Sequence, residues 1–370
     1  MKRNLLAILL LSFISYSAIA QIMPVNREPY GGNKRAWVGE QIGVVKVDIS
    51  YNRPGVKGRE DKVWGTNVAH YGFIDYGHGT SYSAPWRAGA NENTTISFTH
   101  PVKIEGKDLP AGKYGFYIAN GEEESTLIFS KVNNSWGSFY YDEREDALRV
   151  TVKNVKLDES VEWLRYDFIN QTDNSATIAL SWEKRMIPFK VEADTKKLQI
   201  EEFRKDFRTT RNYYDFLVAV YWCVDNDYEL EQALAWADRA ISFRVMGEKN
   251  FRSVLAKAAV LNKMGKSDEA IKIMEEVLPM GSVGDVHYYA RTLLQMGKKE
   301  AALNVFKVNY DNHPSDLTTN VGLGRGYSAV GDYKKALKYM KAALPLAKDD
   351  VNKNNVEDMI KKLEEGKDVN

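Results

Sequence analysis

Residues 83–98 concentrate side chains that could do chemistry. They read SAPWRAGANENTTISF and place Trp86, Arg87, Asn91 and Glu92 close together. An aromatic ring beside planar hydrogen-bonding groups suits the recognition of a sugar or a peptide. The same side chains could instead pair with each other or with a distant Asp, and so fix a loop to a sheet edge through charge-assisted hydrogen bonds. The sequence leaves both interpretations open.

An enzymatic role would need an acid and a base in this half of the chain. Glu92 with Asp142 or Asp146 could flank a glycosidic bond if their carboxyl groups lie at the separation that hydrolysis requires. The sequence contains no Gly-x-Ser-x-Gly motif and no HExxH motif, and Cys223 lies in an apolar helical stretch typical of a core. We therefore predict no catalytic residue.

Two further motifs contain groups that often bind ions or phosphates. His70 and His78 lie in a glycine-rich segment near Asp75, but their spacing matches no recognised zinc motif. The sequence VGLGRGY, residues 321–327, resembles a phosphate loop, yet it follows no strand and falls inside a predicted helix. Its glycines indicate close helix packing instead. We predict no metal and no other cofactor.

The overall charge excludes one class of partner. The chain of 370 residues carries 51 Lys and Arg against 50 Asp and Glu, a formal net charge of +1. A balance this close to zero provides no basic field to attract nucleic acid or an anionic membrane surface. We expect no nucleic-acid partner.

The N-terminus has the pattern of a secretory signal peptide. A basic head precedes an apolar run at residues 5–14, and the sequence AIA at residues 18–20 provides a small-residue cleavage site. The apolar run is shorter than the ~20 residues of a membrane span. We expect cleavage to remove residues 1–20 and to leave an exported chain, periplasmic or secreted, that is soluble and has no membrane span. Its single cysteine cannot form an internal disulfide.

Residues 21–193 are patterned as a β domain. Apolar residues recur at every second position in short runs such as VVKVDISY from Val44 and ALRVTVKNV from Ala147, which is typical of strands with one buried face. Turn clusters such as NGEEES and QTDNS separate these runs. The pattern predicts an antiparallel β-sandwich of roughly eight to ten strands.

Residues 201–370 are patterned as an all-α helical solenoid. After the polar residues 192–197 the apolar spacing becomes helical, and Gly297/Gly331 and Ala302/Ala336 are each separated by 34 positions. This is the tetratricopeptide period, with Gly in the turn of each helix pair and Ala where the helices approach. We expect about four helix pairs and a C-terminal capping helix near residues 351–363.

The first helix of each pair in such a solenoid lines a concave groove for a protein or peptide partner. The repeat register places the following residues on that face: Asn262, Lys263, His287, Arg291, Gln295, Arg325 and Ser328. Arg291 and Arg325 are again 34 positions apart, so their side chains should point the same way and could hold a carboxylate of a partner peptide. The alternative is that both are solvated arginines on a helix surface.

The β half resembles an exported bacterial family, domain of unknown function 2911. The matching segments, in order, are YNRPGVKGR, PWRAGANENTTISF, GKDLPAGKYGFY, WGSFYYDEREDALRV, VEWLRYDF and ATIALSWEK. Residues 64–84 are longer than the family pattern. The resemblance implies an envelope-exported β domain with no established activity, sometimes followed by tetratricopeptide repeats. The family's motif positions fall here on Tyr51, Arg53, Lys57, Arg59, Trp86, Arg87, Gly89, Asn91, Glu92, Trp136, Tyr141 and Asp142.

The sequence as a whole favours a non-enzymatic binding or scaffold protein of the cell envelope. The alternatives are a glycan-processing enzyme and a carbohydrate-binding β-sandwich, with the site around residues 86–92. The ligand-binding candidates in the β half are Tyr51, Arg53, Trp86, Arg87, Asn91, Glu92, Tyr141 and Asp142.

Overall fold

The computed structural model describes residues 30–209 and 212–370, and the chain divides into two compact units between Thr195 and Lys196. We call these the β unit and the helical unit. The predicted export segment, residues 1–20, lies outside the described residues. Within the described ranges, no helix combines the length and the hydrophobicity that crossing a membrane requires.

The described part of the β unit folds into ten strands in two antiparallel sheets. The strands are β1 Lys34–Ile42, β2 Val45–Arg53, β3 Thr94–Phe98, β4 Val102–Ile104, β5 Lys107–Leu109, β6 Gly112–Ala119, β7 Glu124–Ser130, β8 Asp146–Lys153, β9 Val155–Ile169 and β10 Ser175–Glu192. One sheet has the order β1-β2-β3-β6-β7-β8 and the other β5-β4-β10-β9. The predicted sandwich is therefore confirmed.

Alternating side chains bury one face of each sheet. In β2, residues 45, 47 and 49 are buried and residues 46 and 48 are exposed. The two apolar faces meet, since the ring of Phe116 in β6 lies 5.6 Å from Phe189 in β10 and 6.3 Å from Tyr166 in β9. Burial of such a side chain contributes about 1.5–3 kcal/mol to folding, and these rings form the sandwich core.

The helical unit contains ten α-helices among its described residues. They are α1 Thr195–Asp206, α2 Tyr214–Asn226, α3 Leu230–Ser242, α4 Phe251–Lys263, α5 Ser267–Glu275, α6 Val283–Gln295, α7 Lys299–Asn312, α8 Leu317–Ala329, α9 Tyr333–Ala343 and α10 Asp350–Glu364. Helices α2/α3, α4/α5, α6/α7 and α8/α9 pack as pairs, and α10 packs on α9. This arrangement agrees with the predicted helix pairs and capping helix.

Small residues shape the helix pairs as the repeat spacing predicts. Gly265, Gly297 and Gly331 occupy the turns within three successive pairs, with φ of 79°, 75° and 81°. This left-handed conformation is strained for residues with a side chain. Ala302 and Ala336 are fully buried, which lets the paired helices approach closely.

The glycine run at residues 321–327 lies inside helix α8, and its glycines are buried. A Cβ atom added at Gly322 would lie 2.7 Å from Cδ1 of Phe306 and 2.9 Å from Nδ1 of His287. The run therefore serves close packing of α8 against α6 and α7.

Candidate functional sites

The 86–92 loop of the β unit is anchored by contacts within that unit. Trp86 is only 2% exposed and stacks on Trp182, with ring centroids 6.1 Å apart. Nη1 of Arg87 donates to the backbone oxygen of Asn91 at 3.1 Å. The indole of Trp86 thus packs in the core and offers no open face to a ligand.

The guanidinium of Arg87 also covers two aromatic rings, and Glu92 bonds to the neighbouring strand. The guanidinium carbon lies 5.5 Å from the ring centroid of Trp136 and 5.3 Å from that of Phe139. Nδ2 of Asn52 donates to Oε2 of Glu92 at 2.8 Å. Contacts of this kind tie the loop to β2 rather than leaving its charges free.

Three other candidates in the β unit bond across the sandwich or within the loop. Tyr51 is buried, and its hydroxyl accepts a hydrogen bond from the backbone N–H of Tyr166 at 3.3 Å. Nε of Arg53 donates to the backbone oxygen of Leu164 at 2.8 Å. Asn91 is buried with φ 59°, a strained conformation held by the surrounding loop.

Tyr141 belongs to a network with Asp146 and Arg149. Its hydroxyl donates to Oδ2 of Asp146 at 2.7 Å, and Nε of Arg149 donates to the same oxygen at 2.6 Å. Burial raises the pKa of Asp146, and it outweighs the lowering by these hydrogen bonds. Burial also raises the pKa of Tyr141, and its bond to Asp146 adds to the increase. The network joins β8 to the loop before it.

Asp142 lies apart from that network. Its carboxylate accepts hydrogen bonds from Arg144, the shorter at 2.6 Å, and this interaction lowers the pKa of Asp142 to about 2. Each of the eight candidates in the β unit therefore has a partner within the unit. Whether they also bind a ligand stays a prediction.

The histidines of the long 64–84 segment do not assemble a metal site in the described residues. His70 is buried, its Nε2 lies 3.1 Å from the hydroxyl of Tyr76, and burial lowers its pKa. His78 is exposed, and its Nδ1 lies 3.0 Å from the backbone oxygen of Tyr76. Across the described ranges, no group of three or more His, Cys, Asp or Glu side chains could hold a metal ion.

A cleft of about 490 Å³ opens elsewhere on the β unit and involves none of the eight candidates. Residues 122–124, 153–156 and 183–185 line it together with Trp64. Glu183 is only 4% exposed and sits in a β-bulge with φ 51°. Arg185 lies over the ring of Trp64, 4.7 Å from its centroid. The strand pattern alone gave no sign of this cleft, because it depends on the pairing of β9 with β10.

The helical unit brings three of the predicted groove residues together. His287 and Arg291 on α6 and Arg325 on α8 line a pocket of about 460 Å³, which residues of α10 border on another side. The lining residues come from α6, α8 and α10, together with Val369, which lies beyond α10. Three of the seven predicted groove residues therefore line one pocket, and binding of a partner there stays a prediction.

The charges in this pocket are not balanced by bonded carboxylates. Among the described residues, neither Arg291 nor Arg325 forms a salt bridge. Burial, together with the charge of Arg291, lowers the pKa of Arg325 to about 10, and Asp368 opposes the shift. Burial, with the charges of both arginines, lowers the pKa of His287 to about 4. An anion would relieve this repulsion.

The remaining predicted groove residues do not line this pocket. Lys263 forms a salt bridge with Asp227 at 3.8 Å. Asn262 is half-buried and Gln295 is exposed. Ser328 lies beside the pocket and bonds to the end of the chain.

The contact between α8 and residues 367–370 was missed by reasoning from sequence. Nη1 of Arg325 donates to the backbone oxygen of Val369 at 2.8 Å, and Oγ of Ser328 donates to Asp368 at 2.6 Å. A signal was present in the sequence, because Gly366 stands just after the C-cap residue Glu365 of the capping helix, and in the structure it takes φ 72°. A glycine at this position is typical of a chain that turns back at a helix end.

Comparison with protein families gives two matches. Residues 33–191 match a family described as a protein of unknown function, DUF2911, and residues 321–354 match a tetratricopeptide repeat. The two matches follow each other in the order expected from sequence. No curated protein matches the chain.

Several solved structures are similar to the chain. A tetratricopeptide repeat protein from Parabacteroides merdae is 17% identical over 41% of this chain and 60% of its own, with a TM-score of 0.32. This chain thus covers less than two thirds of that protein. YrrB, described as a TPR protein with an unusual peptide-binding site, is 16% identical over 44% and 84%, with a TM-score of 0.30. MamA from Desulfovibrio magneticus is 17% identical over 42% and 90%, with a TM-score of 0.28.

Proposed function

We propose that this chain, a DUF2911 region followed by a tetratricopeptide unit, is an exported, non-enzymatic scaffold of the cell envelope. Its helical unit binds an acidic segment of a partner protein. The observation that supports this most is the pairing of Arg291 with Arg325 beside a pocket, with no salt bridge to either among the described residues. Guanidinium groups bind carboxylates through paired, charge-assisted hydrogen bonds.

The absence of catalysis is supported by the engagement of the acidic candidates. Oε2 of Glu92 accepts from Asn52, and Oδ2 of Asp146 accepts from Tyr141 and Arg149. Asp142 pairs with Arg144 on the surface. Carboxylates that already accept such hydrogen bonds stabilise loops. General acid/base catalysis would need at least one of them to face a substrate.

Selection from a displayed peptide library by the full chain tests the proposal. We expect selected peptides to be enriched in Asp and Glu, and their binding to weaken at high salt. The double variant Arg291→Gln/Arg325→Gln should bind them at least ~10-fold more weakly, because charged hydrogen bonds are worth about 1.5–3 kcal/mol. The control Arg252→Gln removes an exposed arginine of α4 that donates to Tyr214. Neutral selected peptides, or equal losses in both variants, would contradict the proposal.

A glycan remains the alternative ligand for the β unit. The observation favouring it is the cleft around Trp64 and Glu183 rather than the 86–92 loop, since the Trp64 indole N–H is buried and has no partner among the described residues. Its ionisable lining is balanced, with four Glu against three Lys and one Arg, which suits a neutral polar molecule. Calorimetric titration of the full chain with neutral oligosaccharides tests this alternative. The absence of any heat of binding would refute it.

A further inference from the structure

The groove of the helical unit already holds a peptide segment, residues 367–370 of this chain. After helix α10 the backbone turns at Gly366, and residues 367–370, here called the tail, contact α8. The tail therefore lies on the same helix that carries Arg325, half of the arginine pair.

Two side chains of α8 hold the backbone of the tail. Nη1 of Arg325 donates to the carbonyl oxygen of Val369 at 2.8 Å. Oγ of Ser328 accepts from the backbone N–H of Val369 at 3.1 Å. Bonds to main-chain groups supply affinity without selecting a sequence. Another peptide could form the same two bonds in place of the tail, one through a backbone carbonyl and one through a backbone N–H.

The side chains of the tail each meet a matching group. Oγ of Ser328 donates to Oδ1 of Asp368 at 2.6 Å. Val369 is 7% exposed and packs in an apolar cluster with Val356 of the capping helix. Nδ2 of Asn370 donates to the backbone oxygen of Arg325 at 3.1 Å. This subsite therefore accepts a carboxylate, a β-branched apolar side chain and an amide, in that order.

The tail also stands in the way of a partner. Val369 and Arg325 both line the pocket that contains Arg291. A carboxylate that engages both arginines would approach Arg325 beside the carbonyl of Val369, which already accepts from Nη1 of Arg325. The tail brings Asp368 close enough to affect Arg325, but among the described residues Arg291 has no bonded carboxylate. The tail is thus an incomplete occupant of a larger anion-binding groove.

We infer that the tail is a built-in competitor for the groove and that a partner displaces it with a segment of the same order: carboxylate, β-branched apolar residue, amide. This inference rests on the proposed function. In this inference, residues 367–370 control the access of a partner peptide to the groove. A segment that only capped the last helix would not have this role.

Fluorescence anisotropy with a labelled Lys-Asp-Val-Asn peptide tests the inference. The chain shortened to end at Gly366 should bind this peptide at least ~10-fold more tightly than the full chain, because a tethered segment competes at an effective concentration of order millimolar. Replacing Asp by Asn or Val by Gly in the peptide should each weaken binding. Titration extends to about 2 mM, the range set by that effective concentration.

Two full-length variants keep the test independent of truncation. Val369→Asp places a charge in the apolar cluster and should release the tail, so that the variant binds the peptide as the shortened chain does. Val351→Asp alters a valine of α10 that is 70% exposed and should behave as the unchanged chain. Circular dichroism melting confirms that each variant is folded.

The outcomes separate this inference from the proposed function. Equal binding by all folded chains, including no binding up to the highest concentration, would overturn the inference. So would a loss of melting temperature on truncation without a gain in peptide affinity, because the tail would then be only a cap. If acidic library peptides bind through the arginine pair whether or not the tail is present, the proposed function stands and the inference is wrong. If the shortened chain binds the tail peptide more tightly but the library yields no acidic ligand, the inference about the tail stands and the proposed acidic partner is wrong.

Discussion

In the β unit, the hydrogen bonds of Arg87, Glu92 and Asp146 end on other residues of the same unit. In the helical unit, Arg291 and Arg325 lie beside a pocket, and neither is bonded to a carboxylate among the described residues. Both regions were candidates because they concentrate the same kinds of side chain. What differs is whether the fold itself provides the partners.

The difference between the two units lies in how their charged groups are paired. In the β unit these groups bond to one another, whereas Arg325 bonds to the backbone oxygen of Val369 and Arg291 has no salt bridge among the described residues. The network of Tyr141, Asp146 and Arg149 is closed and stabilises its loop. The charges of Arg291 and Arg325 repel each other, and we expect a bound anion to reduce that repulsion.

The largest effect that follows from this comparison is expected in the β unit, for Asp146→Ala. The variant leaves the Tyr141 hydroxyl and the Arg149 guanidinium without their shared acceptor, and we expect a loss of about 3 kcal/mol in the free energy of unfolding. Asp142→Ala is the matched control, since it removes a carboxylate that bonds to Arg144 on the surface, and we expect a clearly smaller loss. Urea unfolding of the full chain measures both.

Equal losses from the two Asp variants would show that the network is not closed. A catalytic role for Asp146 would give a different result, in which stability is kept and hydrolysis of an oligosaccharide substrate is lost.

Local patterns were enough to predict most of the fold. The alternation in β2 and the glycine turns at Gly297 and Gly331 depend on neighbours in sequence, so they were readable from the chain. Strand β1 was missed because it is largely exposed and shows no buried alternation. Strand β5 has only three residues, too few to show an alternating pattern, and its pairing with β4 makes it a strand.

The hydrogen-bond partners of the candidate residues in the β unit could not be predicted from the sequence, because they are distant in sequence. Glu92 bonds to Asn52, 40 positions away, and Arg53 bonds to Leu164, 111 positions away. In the helical unit the 34-residue period fixed the direction of Arg291 and Arg325 in advance. In a repeat protein, residues that lie on the same face of adjacent repeats are separated by a fixed number of positions, which the sequence shows. In a β-sandwich, residues that contact each other across the sheets have no fixed spacing in the sequence.

A smaller effect should follow from filling the space beside the groove. Gly322→Ala improves helix propensity by about 0.5–1 kcal/mol but places a Cβ against Phe306 and His287, so we expect a net loss of about 1–2 kcal/mol. Gly284→Ala, in helix α6, meets only Oγ of Ser282 at 3.9 Å and should be stabilising by about 0.5–1 kcal/mol. Thermal unfolding of both variants measures the difference in sign. If both variants are stabilising, α8 does not pack as closely against Phe306 and His287 as the structure shows.

The smallest effect, and the one that probes the groove charge directly, is the pH dependence due to His287. Its pKa falls from 6.5 in the unfolded chain to about 4 in the fold, because of burial and the charges of Arg291 and Arg325. The unfolded chain therefore takes up a proton first as the pH falls, and the stability present above pH 6.5 is lost progressively towards pH 4. With partial exposure taken into account, we expect a loss of about 1 kcal/mol between pH 7.5 and 5.

His287→Gln should remove this acid-side loss when urea unfolding is compared at the two pH values. Arg291→Gln should reduce it without abolishing it, because burial is the larger cause and the neighbouring charge the smaller one. If the chain and His287→Gln lose the same stability on acidification, His287 accepts a proton as readily in the fold as in the unfolded chain. An anion would then already neutralise the groove, and the contrast between a closed β network and an open arginine pair would not hold.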